Sequence, residues 1–321
     1  MAPLTVEVTR GGHVESRHAV AAAVVDAAGA LVFAAGDVAG AVFPRSAVKA
    51  LQALELVDSG AADRLGLAPA ELALACASHT GEPVHVATAQ AMLAKAGRDA
   101  GCLECGAHWP YDPEAARALA VAGRVPGAVH NNCSGKHAGF ICLACAAGDD
   151  PAGYVHPDHP TMRRVTAALA AATGTVPEAR NRGTDGCSIP TYAIPLRALA
   201  GAFARFGVAG GAPARLRAAV AAHPFLVGGT GRFDTVLMTA LGAQVFAKGG
   251  AEGVHCAALP AQGLGIAVKC ADGAGRAADV ACAALIDRFL GGGVVPAALV
   301  RPELRNWNGV GVGEIRVGVV G

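Results

Sequence analysis

Short apolar runs at both ends of the chain, each cut off by a turn and enclosing a helical middle, restrict the fold most. Val20–Val25 and Leu31–Phe33 flank an Asp26–Ala30 turn that contains Gly29, which predicts a hairpin. Far downstream, Val245–Ala247, Gly253–Leu259 and Ile266–Lys269 read as strands with turns at Gly249-Gly250 and Gln262-Gly263. A helix over Ala277–Phe289 and a last strand over Gly313–Val320 follow. Between the ends the period turns helical. One helix opens at Pro44-Arg45-Ser46 and carries the stripe Val48, Leu51, Leu54–Val57. Others run from Thr80–Pro83 to about Lys95, over His137–Ala147, over Thr161–Ala172 and over Ala212–Ala222. Strands at both ends around a helical middle predict an α/β sandwich whose sheet takes in both chain ends. We expect a single domain over 1–321 with a helical subregion in its middle, long enough to bury a real core.

A chain that is 53% hydrophobic with a net charge of +1 is excluded from the disordered class. The near balance of charge also gives no footprint for nucleic acid and no basic membrane patch. No run of about 18 strongly apolar residues predicts a spanning helix. Met1 to Gly11 lacks the basic-then-apolar order of a secretory signal, so a cytoplasmic location is expected. In that reducing setting the ten cysteines are mostly small buried hydrophobes and not a disulfide framework.

Several segments carry chemistry. Ser46-Ala47-Val48-Lys49 is an S-x-x-K at a helix start, where i, i+3 spacing puts hydroxyl and amine on one face. A serine needs a base to become a nucleophile, and a lysine serves only when burial or a nearby cation holds it neutral. Alone the pair is a common solvated helix start. Lys248-Gly249-Gly250, at the end of an apolar run, resembles the K-T-G element of penicillin-binding proteins and β-lactamases, although position 249 is Gly. Ser78 and His79 sit where an apolar element ends. There they offer a second hydroxyl and a candidate general base, or a capping loop with no catalytic part. Cys133 stands just before a helix, where the dipole favours a thiolate. With Cys187 and one of Lys136, His137 or Asp185 it gives a donor set for a tetrahedral zinc site, set against two unrelated filler cysteines. Cys102-x-x-Cys105 and Cys142-x-x-Cys145 do not make a four-thiolate site, because the second pair lies in an alanine-rich helix. Gly228-Gly229-Thr230-Gly231-Arg232 lacks phosphate-loop spacing, and its arginine is a candidate for a substrate carboxylate. The remaining histidines, His18 among them, read as structural or exposed.

Phe43-Pro44-Arg45-Ser46-x-x-Lys49, Ala77-Ser78-His79-Thr80-Gly81-Glu82, Asn131-Asn132-Cys133-Ser134-Gly135-Lys136-His137-Ala138-Gly139, Thr184-Asp185-Gly186-Cys187, Gly231-Arg232-Phe233 and Ala247-Lys248-x-Gly250-Ala251-Glu252-Gly253 occur in this order along the chain. Together they resemble the class 3, Rhizobium etli-type L-asparaginase family. The resemblance implies a fold similar to serine β-lactamases and penicillin-binding proteins, with a central, mainly antiparallel sheet flanked by helices. It implies a homodimer that hydrolyses L-asparagine to L-aspartate and ammonia. It implies two Ser-Lys tandems, Ser46 with Lys49 and Ser78 with Lys248, and a Zn²⁺ held by Cys133, Lys136 and Cys187. Arg45 and Asp185 fall in its motifs as expected substrate-binding residues, and His79 and Arg232 are counted with them as substrate-binding candidates. The other readings are a β-lactamase-like hydrolase or glutaminase on the same scaffold, a catalytic Cys133, or a non-catalytic zinc-binding protein.

Overall fold

The computed structural model describes residues 1–318, so Val319 and Val320 of the expected last strand lie outside the described residues. Eight strands form the main sheet: β1 (Leu4–Arg10), β2 (His13–Asp26), β3 (Leu31–Ala35), β4 (Phe246–Gly249), β5 (Val254–Leu259), β6 (Leu264–Cys270), β7 (Glu303–Arg305) and β8 (Gly311–Val317). The longer helices are α1 (Pro69–Ala75), α2 (Pro83–Lys95), α3 (Pro113–Val121), α4 (Ser134–Ala147), α5 (Pro160–Thr173), α6 (Leu196–Val208), α7 (Gly211–Ala222) and α8 (Gly275–Phe289). The chain divides into two compact units. One comprises Met1–Ala47, Ala193–Val208 and the residues from Ala240 onward; the other comprises Val48–Tyr192 and Ala209–Thr239.

The first unit is the mixed α/β part. Its sheet runs β7-β8-β1-β2-β6-β5-β4, with β3 also paired to β2, and every pairing is antiparallel. The expected hairpin is present as β2 and β3, and both ends of the described chain enter this sheet, with Val6 opposite Val317. All six residues of β5 are buried, as befits a strand covered on both faces. Gly265 of β6 lets α6 lie directly on one face: a Cβ there would stand 2.0 Å from Ala200 O and 2.2 Å from Ala204 N. α8 packs on β5 and β6 from the opposite side. Phe203, Phe206 and Phe246 fill the α6 side with ring centroids 5.0–6.0 Å apart.

The second unit is helical, apart from a small hairpin of Arg182–Thr184 with Pro190–Tyr192. Its centre is α4, buried from Ser134 to Ala144, which packs against α1, α2 and α5. The apolar run Leu72–Ala77 belongs mostly to helix α1. Pro69 opens it and the alanines favour the helical state. Gly135 seats the first turn of α4 on the end of α1, because a Cβ at that position would meet Leu74 O at 2.4 Å. That close approach brings the start of α4 to the loop leaving α1.

Candidate active site

Each unit holds part of the expected site. In the first unit, Arg45–Val48 begins as a 3₁₀ turn that carries Arg45 and Ser46. Arg45 has a φ of 51°, left-handed backbone in a residue with a Cβ, and such conformations persist where the surroundings over-determine them. The turn backs onto the end of β4: a Cβ at Gly250 would meet Pro44 O at 2.6 Å and Ala47 N at 3.1 Å. The small residue two places after Lys248 therefore admits the serine-bearing turn itself. Lys248 is 1% exposed, and its Nζ donates to Gly249 O at 2.7 Å.

In the second unit, Lys49 is buried at 1% exposure and its Nζ meets three acceptors. These are Ala77 O at 2.5 Å, Ser78 Oγ at 2.8 Å and Cys133 Sγ at 3.1 Å. One amine thus joins the hydroxyl after α1 to the thiol at the N-cap of α4. Ser78 is fixed by its own N–H, which donates to Val227 O at 2.9 Å. Cys133 N donates to Asn131 Oδ1 at 2.8 Å, while Asn131 Nδ2 donates to Cys105 O and Gly106 O.

The second lysine-thiol contact lies close by. Lys136 Nζ donates to Cys187 Sγ at 3.0 Å, and both residues are buried. The Cys187 thiol hydrogen-bonds Cys133, which pulls Cys133 well below the ordinary thiol range. Burial opposes that shift, and the Lys49 and Lys136 charges add to it. The same bond, with burial, pushes Cys187 up, so the pair holds a thiolate at Cys133 and a thiol at Cys187. Burial works against the charge on Lys136, yet the two sulfurs hold its amine up at about 12. Two sulfur donors and an amine, buried and within hydrogen-bond reach of one another, suit the borderline-soft Zn²⁺ ion. The residues fit such an ion provided it displaces the protons on Lys136 and Cys187.

His79 is fully buried. Gly81 N donates to its Nδ1 at 3.1 Å, so the ring proton is on Nε2, which donates to Ser134 Oγ at 2.9 Å. It stacks on His85 with ring centroids 4.8 Å apart. Burial, then the charges of His85 and Lys49, drive its pKa well below 6.5. The ring therefore pins the loop after Ser78 to the first turn of α4. Asp185 sits in the turn before Cys187, where its Oδ1 accepts from Gly186 N at 2.8 Å and its charge reaches Lys136. Arg232 is exposed, at the end of the Gly228–Arg232 loop.

A residue that spacing gave no reason to single out, Glu82, holds that loop in place. Its Oε1 accepts from Thr80 Oγ1 at 2.6 Å and from Thr230 N at 2.8 Å, and its Oε2 from Thr230 Oγ1 at 3.1 Å. Gly229, with φ 104°, lies so near that a Cβ would stand 1.9 Å from Thr80 Oγ1. The signal present in the sequence, an acid in the first turn of a helix, indicates only a helix start. No disulfide joins any of the ten cysteines, and Cys142 is packed inside α4, where its Sγ donates to Met92 O at 3.3 Å.

A family model described as L-asparaginase II matches residues 6–317 of the chain. No curated protein matches it.

Proposed function

The chain belongs to the L-asparaginase II family, and from that premise we propose that it hydrolyses L-asparagine to L-aspartate and ammonia through a Ser-Lys system of the class 3 type. The observation that carries the reading is the buried Lys49 amine, set 2.8 Å from Ser78 Oγ and 3.1 Å from Cys133 Sγ. A lysine shut away from solvent between a hydroxyl and a thiolate is arranged to exchange protons.

In the proposed mechanism Ser46 Oγ attacks the side-chain amide carbon and passes its proton to Lys49. Lys49 acts as the base in its neutral form, with Ala77 O, Ser78 Oγ and Cys133 Sγ about its Nζ. The C–N bond of the tetrahedral intermediate then breaks. Ammonia departs with a proton relayed through the Ser78 and lysine network, and Ser46 is left acylated. Water, deprotonated by the same network, attacks the ester and releases L-aspartate. Arg45, Asp185 and Arg232 supply the charges that recognise the substrate's α-amino and α-carboxylate groups, while His79 positions the Ser78 loop. Cys133, Lys136 and Cys187 would hold a zinc ion, which supplies positive charge beside the lysines and takes up the thiolate charge.

An antiparallel sheet with Lys248 at a strand end and the Ser46 turn packed on Gly250 supports a serine β-lactamase-like fold for this reading. The same reading places the enzyme in the cytoplasm as a homodimer. No helix among the described residues is long and apolar enough to cross a membrane.

The test is ammonia release from L-asparagine by the full chain, alongside L-glutamine and a chromogenic cephalosporin. Activity on L-asparagine is expected, and Ser46→Ala should lower turnover about 10³-fold or more while calorimetric binding of L-asparagine persists. Near-normal turnover in that variant rejects Ser46 as the nucleophile. Cephalosporin hydrolysis without ammonia release rejects the asparaginase reading altogether.

A further inference from the structure

Away from these residues, in the first unit, three donor side chains of different chemistry meet at one corner of the sheet. His18 is on β2, Cys270 is the last residue of β6, and Asp272 lies in the turn that leads into α8. The strand pairing explains the meeting. Cys270 stands opposite Val20 at the end of the β2–β6 ladder, and Ala271 N still donates to Ala19 O at 2.9 Å, so the turn runs on beside His18. His18 Nδ1 lies 2.7 Å from Asp272 Oδ2, and Cys270 Sγ donates to Asp272 Oδ1 at 2.9 Å. The imidazole, thiol and carboxylate donor atoms all lie within 4.8 Å of one another.

The scaffold under them is rigid. Cys270 N donates to Gly253 O at 2.8 Å, and a Cβ at Gly253 would come within 2.7 Å of Cys270 Cβ. Asp272 Oδ1 also accepts from Ala274 N at 3.0 Å, just ahead of α8. His18 and Cys270 are buried while the Asp272 side chain is 52% exposed, so the cluster opens to solvent on the carboxylate side alone.

We propose that His18 Nδ1, Cys270 Sγ and Asp272 Oδ2 form a binding site for a divalent ion of the zinc class, with water as the fourth ligand. Nitrogen, sulfur and oxygen donors in one set suit a borderline-soft ion that accepts all three. Zinc–ligand bonds of about 2.0–2.3 Å give tetrahedral edges of roughly 3.3–3.7 Å. His18 Nδ1 and Asp272 Oδ2 stand 2.7 Å apart, inside that edge, and no pair of donor atoms exceeds 4.8 Å, so binding asks for side-chain adjustments on a fixed backbone. On binding, the Cys270 thiol proton leaves to solvent and the imidazole proton moves to Nε2. Arg276 Nη2, 3.3 Å from that nitrogen, then loses its acceptor, and as an exposed side chain of the first turn of α8 it can swing away. The ion ties β2, the end of β6 and the start of α8 into one corner. The site stands independently of the asparaginase reading.

The test uses the full chain carrying Cys133→Ser and Cys187→Ser, titrated with Co²⁺. One equivalent should bind with a thiolate-to-cobalt charge-transfer band. Adding Cys270→Ser should abolish the band, Asp272→Asn should weaken binding on the order of tenfold or more, and Arg276→Ala should tighten it. In the otherwise native protein, Cys270→Ser should lower bound zinc by one equivalent while ammonia release is unchanged. The proposal is overturned if no charge-transfer band forms at millimolar Co²⁺, or if the band survives Cys270→Ser. It is equally overturned if the native protein and Cys270→Ser hold the same number of zinc equivalents.

Discussion

At the scale of single residues, the histidines behind Ser78 show how burial sets charge. His79 is kept neutral by burial and by the cations around it, and burial also lowers His85 although Phe225 O and Glu82 favour its charged form. Both folded-state pKa values therefore lie below the unfolded value of about 6.5. Above that pH both states are neutral and the rings cost nothing. As pH falls below it, the unfolded chain binds protons that the folded chain refuses. Stability is then lost at up to about 1.4 kcal/mol per pH unit for each ring. His79→Gln keeps a donor toward Ser134 and removes one titration. Its urea midpoint should fall less between pH 7 and about pH 5.5 than that of the parent chain, and equal slopes in the two proteins would reject a neutral buried His79.

At the scale of elements, the approach of α4 to α1 decides where Cys133 and Ser134 stand. Gly135→Ala gains up to about 1 kcal/mol of helix propensity but drives a Cβ into a carbonyl oxygen, and such overpacking costs about 1–3 kcal/mol or more. The clash is with backbone, 2.4 Å from Leu74 O, so the two helices must part. We expect a net loss of about 1–2 kcal/mol by urea denaturation and a fall in ammonia release of more than about tenfold, because the turn that moves carries Cys133 and Lys136. An unchanged turnover would mean that this contact does not position the thiol. Much of this organisation is legible in sequence and part is not. The hairpin at Val20–Phe33 and the helix after Cys133 follow from period and turn chemistry. Strand β1 was equally available, since Leu4, Val6 and Val8 alternate with Thr5, Glu7 and Thr9. α1 is harder to read, because a short apolar run has no period of its own and only Pro69 marks it as a helix. The S-x-x-K spacing is local and visible. The contact between Lys49 and Cys133 spans 84 positions and depends on Gly135, so no spacing rule reaches it.

At the scale of the whole molecule, the long-range pairing that matters most is between the two ends of the described chain. β8 lies antiparallel to β1, with Val6 opposite Val317 and Val8 opposite Ile315. Gly313 lies so close that a Cβ would meet Thr9 O at 1.8 Å, and Ile315 is buried. A sheet closed by residues this far apart forms late, since loop closure precedes any gain from the contact. It also leaves β1 as an open edge whenever β8 is missing. A chain ending at Val310 keeps β1 through β7 and every residue of the helical unit, but loses the strand that covers β1 and pairs β7. Removing the buried Ile315 and two ladders, those to β1 and to β7, should lower stability by about 3 kcal/mol or more. The uncovered edge should raise light scattering on mild heating, as unpaired strands recruit one another. Urea denaturation and turbidity of the two chains at equal concentration measure both effects. If the shortened chain matched the full one in midpoint and solubility, the last strand would be an ornament on the sheet and not its closing member.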